Sequence, residues 1–148
     1  MKLILPRGLR GRIEEEARNA FPRECCGLIE GLQRDDVAEA MALHATRNLA
    51  DRGDRFEIHP EDHFAALKAA RANGRSLIGC YHSHPNGSPV PSAADRAGAG
   101  EEDFLWLIAA LTGADGPVAI AAFAYSAAGF FPVDLDGPFG ADLVTSST

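Results

Sequence analysis

His82 and His84, separated by one residue, are the first residues whose types and spacing could do chemistry. They end the run SLIGCYH, whose apolar and aromatic content is typical of a buried strand. Side chains two apart on a strand share a face, so both imidazoles can bind one metal ion. Asp95, further along the chain, is the obvious third ligand. Two His and one carboxylate are typical of a catalytic zinc ion, which keeps its fourth tetrahedral position for water.

The segment PNGSPVPSAAD joins the histidines to Asp95. Its three prolines stiffen the loop and reduce the entropy lost when the chain returns to the metal. Ser92 and Asp95 also form the Ser-x-x-Asp pattern of a helix capping box, which is the favoured interpretation of that pattern taken alone. The two interpretations are compatible, because the first helical turn directs Asp95 back towards the loop with the Ser92 hydroxyl beside it.

Periodicity and turn signals predict the elements that must position these residues. The helical segments are RGLRGRIEEEARNAF and PEDHFAALKAARANG. The predicted strands are CCGLIEGL, VAEAMALHAT, RFEIH, SLIGCYH, FLWLIAAL, PVAIAAFAY and GFFPVDL. The first two strands form a plausible hairpin, FLWLIAAL is also compatible with a helix, and the tail ADLVTSST is expected to be frayed.

His-Ser-His-Pro followed by Ser-x-x-Asp resembles the JAMM motif of the MPN-plus metalloproteases, in which a distant Glu precedes these residues. PRECCGLIEG resembles the N-terminal segment of that family, so Glu24 matches its catalytic carboxylate. The stretch from RFEIH to HSHP resembles the middle of the compact prokaryotic members. Roughly residues 3–125 are alike in order and spacing.

The resemblance implies a cytidine-deaminase-like α/β fold, with a mixed β-sheet flanked by helices. It implies one zinc ion per chain held by His82, His84 and Asp95. Glu24 would act as general acid/base, and Ser92 would donate to the oxyanion. The implied activity is that of a metallopeptidase or isopeptidase, which hydrolyses an amide bond at the C-terminal Gly-Gly tail of a ubiquitin-like or sulfur-carrier protein. A catalytically silent MPN-type scaffold, or a module that binds such a tail, is the alternative.

Composition limits the partners and the location. The 148 residues carry a formal net charge of −7 and fit a single domain over 1–148, with a core of about 3–135. A chain with this negative charge lacks the positively charged surface that nucleic-acid binding requires, so nucleic acid is not expected as a partner. Neither a signal-peptide core nor an apolar run of about 20 residues is present, so no membrane partner is expected and a cytoplasmic location is predicted. The sequence leaves a homodimer open.

Other reactive residues have structural interpretations that are favoured. His59 and His63 have a helical spacing, but Pro60 occupies the position that Glu takes in the HExxH motif, so surface histidines are expected. The cysteines, which are Cys25, Cys26 and Cys80, are expected to be small buried hydrophobes with free thiols. A cysteine nucleophile at Cys80 stays open, whereas the chain lacks the GxSxG pattern of serine hydrolases.

Overall fold

Helices and strands occupy most of the chain and include both predicted metal-binding segments. A computed structural model describes residues 1–50 and 53–136. In chain order the elements are β1 (Lys2–Ile4), α1 (Arg7–Ala20), β2 (Cys26–Arg34), β3 (Val37–Thr46), α2 (Pro60–Ala72), β4 (Ser76–His84), α3 (Ala93–Gly98), β5 (Leu105–Ala110), β6 (Ala119–Ser126) and β7 (Gly129–Asp136). Within these ranges, no helix has both the length and the apolar character needed to cross a bilayer.

The strands form one mixed sheet that closes on itself in the order β1-β3-β2-β4-β5-β6-β7. β4 and β5 pair in parallel, whereas β2 pairs antiparallel with both β3 and β4. Closure depends on β1, which pairs in parallel with β3 on one side and with β7 on the other. The sequence analysis missed β1, because Leu3, Ile4 and Leu5 make too short an apolar run to predict a strand.

The two long helices cover opposite faces of β4. Ala17 of α1 is buried in a core cluster with Tyr81, whereas Ala66 of α2 is buried in a second cluster with Cys80 and Trp106. Neighbouring residues of a strand point to opposite faces, so Cys80 and Tyr81 place the two helices on different sides of the sheet. The predicted architecture, a mixed sheet flanked by helices, is confirmed.

The long helices and the strands β2 to β7 lie where the sequence predicts them, and FLWLIAAL is a strand. The strand predicted over RFEIH is wrong, since a single isolated bridge joins Asn48 and Ile58 there. The Asn48 side chain donates to the Arg55 carbonyl and accepts from the Glu57 N–H. These two backbone groups are therefore not available for the strand-to-strand hydrogen bonds that a longer strand would need. The tail ADLVTSST lies outside the described residues, and the assignment of one domain stays a prediction.

Glu30 is a carboxylate of β2 that is buried in the sheet and held by three partners. The side chain is 0% exposed. Its Oε1 lies 2.8 Å from Nε2 of His44, and its Oε2 accepts hydrogen bonds of 3.0 Å from Asn73 and from Arg75. Burial acts to raise the pKa of Glu30, but these hydrogen bonds outweigh burial and lower the pKa below its ordinary value. Folding therefore favours the ionised carboxylate.

Replacing Glu30 with Gln is expected to lower the free energy of unfolding by about 2 kcal/mol at neutral pH, because charge-assisted hydrogen bonds are lost. A lowered pKa in the folded state stabilises the fold above the ordinary pKa of 4.5. The difference between wild type and Glu30→Gln should therefore shrink as the pH falls below that value. Urea denaturation of both proteins at about pH 7 and about pH 3.5 measures this difference in the free energy of unfolding. The same difference at the two pH values would contradict an ionised Glu30.

Candidate metal centre

The end of β4 contains both histidines and is buried. His82 is 0% exposed and His84 is 3% exposed. Alternate residues of a strand share a face, so both imidazoles lie on the side of β4 that α2 covers. Their Nε2 atoms are 3.0 Å apart. The strand thus presents two imidazoles to one point.

Asp95 adds a carboxylate to the two imidazoles, and each of its oxygens lies close to one of the histidines. Its Oδ2 lies 3.0 Å from Nε2 of His84, and its Oδ1 lies 3.1 Å from Nε2 of His82. Ligand atoms bound tetrahedrally to zinc at about 2.0–2.1 Å are roughly 3.3 Å from one another, which is close to these nitrogen–nitrogen and nitrogen–oxygen distances. Two imidazoles and a carboxylate are also a donor set that zinc prefers. The three residues therefore fit a zinc ion.

The first turn of α3 holds Asp95 in place. The Ser92 hydroxyl oxygen accepts from the Asp95 N–H at 3.0 Å, and Oδ2 of Asp95 accepts from the Ser92 N–H at 2.9 Å. This is the predicted capping box, and the carboxylate that closes the box is also the one beside the histidines. Burial opposes ionisation of Asp95, but hydrogen bonds from His82 and His84 outweigh it and hold its pKa well below the usual range. Asp95 is therefore in the anionic form that binds a metal.

Strand register brings Glu24 to the histidines. The Cys25 N–H donates to the Ser83 hydroxyl at 2.8 Å, and the Ser83 N–H donates to the Cys25 carbonyl at 3.1 Å. Ser83 lies between the two histidines, so this pairing sets the preceding residue, Glu24, beside them. The ligand atoms of Glu24, His82 and His84 all lie within 4.8 Å of one another.

The environment of Glu24 suits proton transfer. The residue is 5% exposed, and its Oε1 has no hydrogen-bonding partner among the described residues. Burial raises the pKa of Glu24 to about 7, although the nearby His84 opposes the rise. A carboxyl group with a pKa near neutrality can both accept and return a proton. A buried oxygen without a protein partner also marks a place where a water or substrate group would bind.

The two imidazoles are oriented by different contacts. Nδ1 of His84 lies 2.8 Å from the Ser88 carbonyl, which can only accept, so Nδ1 carries a proton and Nε2 is the nitrogen that would bind a metal once it is deprotonated. Nδ1 of His82 has no such partner in the described part of the chain. The Phe56 ring instead stacks on His82 at 4.3 Å, and Trp106 packs edge-on at 5.8 Å. Burial lowers the pKa of His82, which favours the neutral ring that binds metal.

The sequence analysis did not identify Phe56, Ser83 or Ser88 as parts of this centre. Ser83 could have been found, because it lies inside the His-x-His motif. Phe56 and Ser88 gave no such signal, since a ring stacked on a histidine and a carbonyl beside it are contacts of the tertiary structure.

The second pair of histidines lies apart from the centre. His59 is the N-cap of α2, where its Nδ1 accepts from the Glu61 N–H, and His63 is exposed. Within residues 1–50 and 53–136, neither belongs to a group that could hold a metal ion. The expectation that these are surface histidines rather than ligands of a second metal stays a prediction.

The cysteines have free thiols, as expected. Cys26 and Cys80 are buried, whereas Cys25 is only half-buried, because it precedes the start of β2. Burial raises the pKa of the Cys80 thiol well above its usual range and that of Cys25 to about 12. A thiol rather than a thiolate at neutral pH is a poor nucleophile, so the cysteine alternative is disfavoured.

Two cavities border the centre. One, of about 920 Å³, is lined by Asp95 together with apolar side chains that include Phe56, Leu77 and Trp106. The other, of about 360 Å³, is lined by Glu24 and by polar residues of α1 and β3. Residues of the centre thus form part of the wall of both cavities.

Comparison with known families shows which family the chain belongs to. The family of prokaryotic homologues of the JAB domain matches residues 6–123. The chain belongs to the prokaryotic JAB family. The matched part of the JAB domain runs from α1 into β6, so it includes the three candidate ligands, Glu24 and Ser92.

Relatives of this JAB domain include named enzymes. It is 36% identical to the desampylase of Haloferax volcanii over 72% of this chain and 79% of the relative. It is 33% identical to a probable TtuB-protein conjugate cleaving protease of Thermus thermophilus, over 63% of this chain and 60% of that protein. The solution structure of protein DSY2949 from Desulfitobacterium hafniense superposes with a TM-score of 0.81 at 27% identity, over 90% and 91% of the two chains. The resemblance to compact prokaryotic JAMM proteins is confirmed, and the chain is a JAMM-type hydrolase.

Proposed function

We propose that this JAB domain is a zinc-dependent metallopeptidase or isopeptidase. It hydrolyses an amide bond at the C-terminal Gly-Gly tail of a ubiquitin-like or sulfur-carrier protein. The proposal rests on one observation: the Nε2 atoms of His82 and His84 lie 3.0 Å from each other and 3.0–3.1 Å from the carboxylate oxygens of Asp95, beside the unpartnered carboxyl oxygen of Glu24. One zinc ion per chain would be bound by His82, His84 and Asp95, and its fourth ligand would be a water molecule next to Glu24.

Each residue then has one task. A bound zinc ion supplies a Lewis acid that lowers the pKa of water from about 15.7 to about 7. Glu24 accepts the proton of the attacking water and returns it to the leaving nitrogen, for which a pKa of about 7 is suited. The Ser92 hydroxyl donates a hydrogen bond to the developing oxyanion, and such a donor contributes on the order of 3 kcal/mol. Asp95 stays anionic and holds the metal while its oxygen closes the cap of α3.

The substrate class is supported by the relatives and by the shape of the protein. The names of two relatives refer to a desampylase and to cleavage of TtuB-protein conjugates. The centre borders a cavity of about 920 Å³ that is lined by apolar side chains and by charged ones such as Arg55, Glu57 and Glu101, and that is large enough for an extended tail. The proposal includes a cytoplasmic location, and it is compatible with a monomer or a homodimer.

Incubation with a carrier protein extended beyond its Gly-Gly end tests the proposal. Mass spectrometry is expected to show loss of the extension, inhibition by a zinc chelator and recovery when zinc is restored. A carrier whose two terminal glycines are replaced by bulkier residues serves as the matched substrate control. Zinc-loaded protein that binds the tail without cleaving it would favour the silent scaffold or the binding module.

A further inference from the structure

The side chain of Asn48, just after β3, bonds to four backbone groups. Its Nδ2 donates to the carbonyls of Glu24, at 3.0 Å, and of Arg55, at 3.3 Å. Its Oδ1 accepts from the N–H groups of Ala50 and Glu57, at 2.9 Å each. An Asn amide has two N–H donors and an oxygen with two lone pairs, so all of its capacity is used.

These bonds connect two segments that differ in their contacts with the centre. Glu24 carries the unpartnered carboxyl oxygen beside the histidines. Arg55 and Glu57 flank Phe56, whose ring stacks on His82 with an angle of 24° between the planes. The Asn48 amide therefore forms hydrogen bonds with the peptide groups on both sides of Phe56. The same amide also bonds to the backbone carbonyl of Glu24.

We propose that Asn48 is a positioning residue, which sets Glu24 and the stacked Phe56–His82 pair relative to each other and so determines the rate of turnover. Its kinetic consequence rests on the proposed function. Asn48 acts through other residues, because its amide has no donor or acceptor left for a substrate. An Asn is required, since two of the four partners are carbonyls that need donors, and the isosteric Asp would offer them only oxygens.

Asn48→Ala and Asn48→Asp test this role with the Gly-Gly-extended carrier as substrate. Asn48→Ala is expected to lower kcat by about 10- to 100-fold, because a displacement of about 1 Å at a catalytic group has an effect of that size. KM should change by less than about threefold, and zinc should stay at one per chain, since His82, His84 and Asp95 are unchanged. Asn48→Asp should lose at least as much kcat, although it differs from wild type by only one group.

Asn73 supplies a matched control. Its amide donates to Oε2 of Glu30 at 3.0 Å, in a network that does not include the metal centre. Asn73→Ala is expected to lower Tm while leaving kcat within about twofold of wild type. In a Glu24→Gln background, Asn48→Ala should reduce the residual kcat much less than in wild type, because the two residues act as a unit. Wild-type kcat in Asn48→Ala, or fully additive losses, would contradict the role of Asn48.

A measurement without substrate separates this proposal from the proposed function. Hydrogen exchange at the N–H groups of Ala50 and Glu57 is expected to be slow in wild type and faster by at least about tenfold in Asn48→Ala. Unchanged exchange at both groups would overturn the positioning role, whatever the substrate is. If wild-type protein cleaves no extended carrier, the proposed function fails, and accelerated exchange still supports the positioning role of Asn48.

Discussion

Glu24→Gln is expected to reduce kcat by about 10²- to 10⁴-fold, the range that general acid–base catalysis contributes. Gln keeps the size and planar shape of the side chain but cannot accept a proton from water or deliver it to the leaving nitrogen. KM and the zinc content of one per chain should be nearly unchanged, because Glu24 is not one of the proposed ligands. Steady-state kinetics on the extended carrier and metal analysis of the same sample measure both quantities.

Glu16→Gln is the matched control for this prediction. Glu16 is a half-buried carboxyl group that lines the smaller cavity together with the buried Glu24, but it accepts a hydrogen bond of 2.8 Å from the Tyr81 hydroxyl on the α1 side. Burial raises the pKa of Glu16 as well. If kcat fell merely because a carboxyl group with a raised pKa was removed, both variants would therefore show the loss. Glu16→Gln should keep kcat within a few-fold of wild type. Equal losses in the two variants would remove the special role of Glu24.

Asp95→Asn is expected to abolish retention of zinc and, with it, turnover. The change removes the anionic ligand but keeps an oxygen that can accept from the Ser92 N–H, so the cap of α3 should persist. Altering the groups around metal ligands already lowers affinity by about 10- to 100-fold, and loss of a ligand should exceed that range. Zinc should therefore raise the Tm of wild type but leave that of Asp95→Asn unchanged. Metal analysis after dialysis gives a second, independent reading.

Asp62→Asn provides a comparison at the same helical position. Asp62 is the third residue of α2, as Asp95 is of α3, and it accepts hydrogen bonds from Arg47 rather than from the histidines. This variant should keep one zinc per chain and the same rise of Tm. Zinc bound at full stoichiometry in Asp95→Asn would show that the proposed ligand set is wrong.

Local signals were sufficient where neighbours in sequence are also neighbours in space. The period of two in β4 predicted that the two histidines share a face, and Ser-x-x-Asp predicted the start of α3. The strand predicted over RFEIH failed for the opposite reason, because its backbone groups are bound by Asn48, a side chain from the preceding segment. A pattern of apolar residues cannot reveal a partner that occupies its hydrogen bonds.

The sequence by itself determined the types of the candidate ligands, the spacing of His82 and His84 along one strand and the carboxylate at the start of a helix, and its motifs identified the family. Only the tertiary structure decided how Glu24 reaches the centre, since that depends on the register of β2 against β4. It also decided that Phe56 orients His82 and that Asn48 ties Phe56 to Glu24. These contacts join residues distant in sequence, and their geometry arises only when the chain packs, so no local periodicity encodes it.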